Sequence, residues 1–134
     1  MTRGQLGVCY FPEHGDRADW TADIAEMREL GIDFVRMGEF AWGAIEPEPG
    51  VVNLDWIQDI LDLLHENGIR AVLCTPTATP PKWLVDTMPD MIATGKDGQP
   101  RSFGSRRHYS FAHEGYRREC ARITRLVAGR FGTH

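Results

Sequence analysis

The chain carries only three cysteines in 134 residues, Cys9, Cys74 and Cys120. They are far apart, odd in number and form no CxxC pair. This excludes a zinc knuckle and a disulfide framework, and it points to reduced thiols in a cytoplasmic setting. Basic charge is also scarce: 15 Lys and Arg stand against 19 Asp and Glu, a formal net charge of −4. Nucleic-acid binders need a basic patch, so no nucleic-acid partner is expected. The acidic residues are dispersed and form no tail. No apolar run approaches the ~20 residues of a membrane span, so no membrane partner is expected. The N-terminal "MTRGQLGVCYF" lacks the long apolar stretch of a signal peptide. No GxGxxG follows a candidate strand and no GxxxxGK[ST] occurs, which removes the usual signals of phosphate-binding folds. GxSxG and HExxH are missing as well, so no familiar nucleophile or metalloprotease motif is present.

What is there is an ordinary globular composition, 42% hydrophobic and 25% charged, in a chain long enough for one modest core. Its apolar residues fall into a repeating pattern. "GVCYF" (Gly7–Phe11) reads as a first strand. "PEHGDRAD" is a loop in which Asp16 or Asp19 can cap a helix. Trp20, Ile24, Met27 and Leu30 recur at steps of four and three, one face of that helix, and Gly31 stops it. Phe34–Met37 reads as a second strand. Asp55 can cap a second helix, whose face carries Ile57, Ile60, Leu61 and Leu64 and which ends at Gly68. "IRAVLC" is then a third strand. "LGIDFVRM" and "NGIRAVLC" share one grammar: helix, glycine, isoleucine, variable residue, strand. A last helix places Tyr116, Cys120, Ile123 and Val127 on one stripe. The order is βαβαβ, a long loop, then α, which implies an α/β fold with parallel strands.

A (β/α)₈ barrel spends about 250 residues on eight units, roughly 31 each. Three such units fill this chain, with the surplus in the loop from Thr75 to Gly115. That loop holds Pro76, Pro80, Pro81, Pro89 and Pro100 and an Asp97–Gly98 turn. Long loops are usually functional, and loops that follow strands gather at the catalytic face of a barrel. Three units cannot close a barrel, and a free three-stranded parallel sheet would leave its edges bare. The expectation is therefore the first three βα units of a TIM (β/α)₈ barrel, with residues 1–134 a partial domain of a larger protein.

"DFVRMGEFAW" (Asp33–Trp42) raises a question of charge. Arg36 sits within an otherwise apolar strand, where a guanidinium is costly unless paired. It is either tied to a carboxylate such as Glu39 or Glu46, or it points into a barrel mouth, where a planar fork of donors suits vicinal hydroxyls or a carboxylate. Glu13, Glu39, Glu46 and Glu48 all follow strands. A retaining glycosidase needs two carboxyl groups about 5–5.5 Å apart, and Glu39 could be one. A positioning role suits all four better, with Glu46 and Glu48 in a surface turn, "EPEPG". Trp42, Trp83, Phe40 and Phe103 could offer flat platforms to a sugar ring, although a tryptophan is more often packing. "RSFGSRRHY" puts Arg106, Arg107 and His108 at the end of the long loop, where the plain reading is a solvated basic turn. His14 and His108 lack metal-ligand spacing.

"LGVCYFPEH", "VRMGEFAW", "EPEPG", "TPTATPPKWLV" and "FGSRRHYSF", in this order and spacing, closely resemble the N-terminal part of glycoside hydrolase family 42 β-galactosidases. The resemblance runs from about Leu6 to Phe131. It implies an N-terminal (β/α)₈ barrel followed by two smaller domains, a retaining mechanism on terminal β-D-galactosides without a cofactor, and a homotrimer. Position by position, Arg36 matches the family's sugar-binding arginine after strand two, and Arg107 matches a second arginine that contacts galactose hydroxyls. The family's acid/base, a glutamate preceded by asparagine, ends strand four, and its nucleophile ends strand seven. The chain is therefore expected to hold neither catalytic carboxylate and to be inactive alone. Some members bind zinc through four cysteines, one of them in "HYC". Here the motif reads "HYS", with Ser110 in that place, so no metal is expected. Gly15 stands where a tryptophan is common, which would loosen the first loop. Two other functions fit the residues less fully: a truncated, non-catalytic carbohydrate-binding module, and another retaining barrel glycosidase.

Overall fold

The structure, a computed structural model, describes residues 4–134. It divides into two compact units. The first runs to Gly38 and resumes over Leu54–Cys74, and the second comprises Glu39–Asn53 and Thr75–His134.

The first unit holds a parallel sheet of β1 (Gly7–Cys9), β2 (Phe34–Met37) and β3 (Arg70–Leu73), in the spatial order β1-β2-β3. Between the strands run α1 (Trp20–Glu29) and α3 (Asp55–Glu66). The register pairs Val8 with Val35 and Val35 with Ala71; one step on, it pairs Cys9 with Arg36 and Arg36 with Val72. Paired residues share a face, and successive residues alternate faces. Val35 and Met37 are fully buried on one face. Cys9, Arg36 and Val72 are exposed on the other. The first strand stops at Cys9, short of the expected Phe11. Tyr10 still donates its N–H to the Arg36 carbonyl (2.9 Å), and Pro12 then opens a 3₁₀ turn, Pro12–His14.

The shared "GI" grammar has a physical basis. At the end of α1, Gly31 adopts φ 73°. Its N–H reaches the Arg28 carbonyl (3.0 Å), and the Ile32 N–H reaches Met27 (2.9 Å). At the end of α3, Gly68 adopts φ 72°. Its N–H reaches His65 (2.9 Å), and that of Ile69 reaches Leu64 (3.0 Å). Both are Schellman motifs, which need a left-handed residue and favour an apolar one after it. Ile32 and Ile69 are both buried.

The same turn corrects one expectation: Leu30 is 73% exposed. It is the boundary residue after Glu29, so the chain swings it outward and Ile32 takes the buried place. The two expected caps also shift. Asp16 caps the 3₁₀ turn Arg17–Asp19 by accepting from the Ala18 N–H (3.0 Å), whereas Asp19 makes no side-chain cap bond to α1. Asp55 lies inside the first turn of α3, because the Leu54 carbonyl already accepts from Ile57 and Gln58. A carboxylate there still suits the helix dipole. The expected stripe of Ile57, Ile60, Leu61 and Leu64 is wholly buried.

The second unit holds α2 (Trp42–Ile45), α4 (Lys82–Thr87) and the long α5 (Glu114–Phe131). Tyr116, Ile123, Val127 and Phe131 form the buried stripe of α5, with Cys120 half-buried. His113 caps this helix, its Nδ1 accepting from the Tyr116 N–H (3.0 Å). The segment expected as one loop is thus more ordered than expected. It contains α4, two 3₁₀ turns (Pro76–Ala78 and Pro89–Met91) and the bridges Ile92 to Tyr109 and Thr94 to Pro100. Among the described residues no helix is long and apolar enough to cross a membrane.

Candidate sugar-binding residues

In the first unit, Arg36 occupies the exposed face of β2, with Nη1 3.9 Å from Cys9 Sγ. Phe34 lies one layer below on the same face. Its ring fills the space above Gly7, where an added Cβ would sit 2.3 Å from a ring carbon. The turn that follows β1 is held from several sides. The Trp20 indole donates to the Pro12 carbonyl (3.2 Å), and the Arg17 guanidinium lies over the Trp20 ring at 5.3 Å while also pairing with Asp59. The Tyr10 hydroxyl donates to Asp23 (2.9 Å), and burial together with that carboxylate pushes its pKa well above the ordinary tyrosine range. Glu13, on the same turn, has both carboxylate oxygens buried with no hydrogen-bond partner among the described residues.

In the second unit, the expectation that Glu46 lies in a surface turn is overturned. Glu46 is fully buried. Its Oε2 accepts from Arg122 (2.6 Å) and the Trp42 indole (3.1 Å), and its Oε1 accepts from the Gly50 N–H (2.9 Å). Arg122 is braced in turn by Glu119 (2.7 Å). Burial alone pushes the Glu46 carboxyl up, but hydrogen bonds from Arg122, Gly50 and Trp42 outweigh it and hold the group below its ordinary value. Both oxygens of Glu46 are thus spent within this unit, which makes it a structural carboxylate. Glu48 alone keeps the exposed turn position. Glu39 is also buried, at 6% exposure.

Trp42 is fully buried and stacks on Tyr116 (centroids 6.5 Å apart, 28° between planes), so it is core and no platform. Trp83 is half-buried, its indole donating to the Glu46 carbonyl (2.9 Å). With Phe40, Thr79, Pro81, Lys82 and Phe103 it lines an open depression of about 350 Å³.

Arg107 is exposed and adopts φ 57°, the only positive φ outside glycine among the described residues. His108 departs from the solvated-turn reading, for it is only 2% exposed. Its ring meets those of Phe103 and Tyr109 edge-on, at 5.4 and 5.6 Å. Its Nδ1 lies 2.8 Å from the Ser105 carbonyl, which can only accept, so Nδ1 carries the proton. Nothing local in "SRRHY" marks which residue turns inward. Ser110 Oγ accepts from the Ala112 N–H (3.3 Å). Among the described residues no three His, Cys, Asp or Glu side chains converge as a metal site. Gly15 is exposed, and a Cβ there would meet nothing within 4 Å.

Against known proteins, the family model described as beta-galactosidase (Glyco_hydro_42) matches residues 9–134. The chain belongs to the glycoside hydrolase 42 family. Beta-galactosidase Bga of Halorubrum lacusprofundi is 50% identical over 127 residues, 95% of this chain and 18% of that protein. Beta-galactosidase BgaA of a Thermus species is also 50% identical over 127 residues, 95% of this chain and 20% of that one. The crystal structure of beta-galactosidase from the psychrophilic Marinomonas ef1 superposes with a TM-score of 0.94 at 51% identity, covering 98% of this chain and 20% of that one. The sheet and its helices thus match the N-terminal part of the family's TIM barrel, as expected from the βα rhythm. The chain spans about a fifth of the length of the family members it matches.

Proposed function

We propose that these residues are the opening part of the catalytic barrel of a longer β-galactosidase, which removes terminal non-reducing β-D-galactose by a retaining double displacement. The observation that carries this reading is the match across residues 9–134 to a family whose members are named beta-galactosidases. In this reading Arg36 and Arg107 bind the galactose. Each presents an exposed guanidinium, one late in a strand and one on a turn. A planar, permanently charged fork of donors grips neighbouring hydroxyls and holds the ring in one pose. It cannot serve as general acid, because it keeps its proton at neutral pH. The two carboxyl groups of a retaining mechanism, about 5–5.5 Å apart, come in this reading from strands beyond these three. The segment therefore binds and orients sugar, and the rest of the barrel cleaves. The assignment of a homotrimer rests on the family resemblance alone. A cytoplasmic setting is supported by three cysteines that form no disulfide, Cys9 in β1, Cys74 just after β3 and Cys120 in α5.

The test is a panel of nitrophenyl glycosides given to the full-length polypeptide. Galactoside turnover well above that of glucoside and xyloside is expected. A preference for another sugar would assign a different retaining glycosidase.

A further inference from the structure

Glu13 lies in the 3₁₀ turn Pro12–His14, just beyond the end of β1. Both of its carboxylate oxygens are buried, with no hydrogen-bond partner among the described residues. The backbone of the turn is fastened on both sides, which keeps the side chain from swinging out to water. The Tyr10 N–H donates to the Arg36 carbonyl (2.9 Å), and the Trp20 indole donates to the Pro12 carbonyl (3.2 Å). The His14 N–H closes the turn on the Phe11 carbonyl (3.0 Å), and the His14 ring stacks on that of Phe11 (centroids 5.7 Å apart, 21° between planes). A carboxylate taken out of water is strongly disfavoured unless donors meet it. The side-chain donors around this turn are held elsewhere: Trp20 by Pro12, Arg17 by Asp59, and Tyr10 by Asp23. A metal ion would need further ligands, and among the described residues no three His, Cys, Asp or Glu side chains converge.

The sheet indicates the side from which a donor can come. Among the described residues β1 pairs only with β2. In a closed barrel β1 takes a second neighbour, and in an eight-stranded parallel barrel that begins at β1 this neighbour is the last strand. The C-terminal end of that strand then stands beside the turn that carries Glu13. We propose that Glu13 is the receiving half of a barrel-closing ion pair, in which an arginine from the end of the last strand sets its guanidinium against both carboxylate oxygens. The proposal rests on the reading of these residues as the opening of a longer barrel. Arginine fits better than lysine, because its planar fork meets two oxygens at once and its charge is the more weakly hydrated. The pair would tie the first strand to the last at the face where the loops of the site gather.

The test is a crystal structure of the full-length polypeptide, followed by a double-mutant cycle on the arginine it reveals. Two guanidinium nitrogens of an arginine outside residues 1–134 are expected about 2.7–2.9 Å from the Glu13 oxygens. Glu13→Gln is expected to lower Tm by about 5 °C, as is replacing that arginine by glutamine. The double variant should lose well short of the sum of the two. The structure of the unsubstituted polypeptide decides the point even if neither variant folds. A closed barrel in which Glu13 is met by a residue of this chain, by a lysine, by a metal ion or by water alone would overturn the proposal. Losses that add in full would overturn it too. A sheet that does not close into a barrel would instead overturn the reading of a longer barrel. A closed barrel with the arginine in place but a preference for another nitrophenyl sugar would overturn only the assignment of the substrate.

Discussion

Arg36 keeps its guanidinium on the exposed face of β2, beside Cys9 and Val72. Its removal should therefore spare the core and injure binding. A hydrogen bond from a charged group contributes about 1.5–3 kcal/mol, roughly one to two powers of ten in rate or affinity. If these residues belong to a longer β-galactosidase, Arg36→Ala in that enzyme is expected to lose that much kcat/KM for nitrophenyl galactoside while melting at the parent temperature. A much lower melting temperature with normal turnover per folded molecule would make Arg36 a structural residue. Glu46 is the opposite case, a buried carboxylate held by Arg122, Trp42 and Gly50. Its folded pKa lies below the ordinary 4.5. The ionised form is therefore favoured by folding, and the stability it brings is fully present above the ordinary value and drains as pH falls through the lowered one. Glu46→Gln is expected to cost about 3 kcal/mol at pH 7, near the low end for a broken buried pair because the Arg122 side chain is 34% exposed. The gap between parent and variant in Tm should narrow on acidification below pH ~4. Two melting curves that stay parallel from pH 7 to 3 would contradict it.

At the scale of elements, the two "GI" helix ends supply a clean comparison. Gly68 has φ 72° and open space where a Cβ would go, so Gly68→Ala adds backbone strain and no clash. The expected cost is about 1–2 kcal/mol, read as a lowered Tm with unchanged KM, because the turn lies at the end of α3 that leads into β3. A neutral or stabilised variant would show that this turn tolerates the strain. The long elements were legible because periodicity reports burial: the α3 and α5 stripes are the residues that the structure buries, with Cys120 only partly so. The four-residue α2 and six-residue α4 are too short to complete a pattern. The burial of Glu46 was hidden for another reason. "EPEPG" has the composition of a surface turn, and the arginine that accounts for its burial lies 76 residues away. Leu30 is exposed because the Schellman turn breaks the α1 stripe at Glu29, a point that hydrophobic spacing does not mark.

At the scale of the whole chain, the sheet is three parallel strands in the order β1-β2-β3. Among the described residues β1 and β3 each have one neighbouring strand, and Cys9, Arg36 and Val72 are exposed on one face. In a closed barrel every strand has two neighbours and that inner face is filled by packed side chains. Parallel edges left bare are templates for pairing with other chains. If these residues open a longer barrel, the 134-residue chain produced alone is expected to self-associate, and sedimentation velocity should find species larger than its 15.1 kDa monomer at micromolar concentration. Amides of β1 and β3 should exchange faster than those of β2, which is bonded on both sides. The same preparation should leave nitrophenyl galactoside untouched above a mock-purified control, since an arginine can hold the sugar but cannot protonate its leaving group. A stable monomer with protected edge strands would mean that three βα units suffice as a domain. Turnover by that monomer would mean that Glu13, Glu39 or Glu48 acts as a catalytic carboxylate, and the division of labour between binding strands and cleaving strands would fail with it.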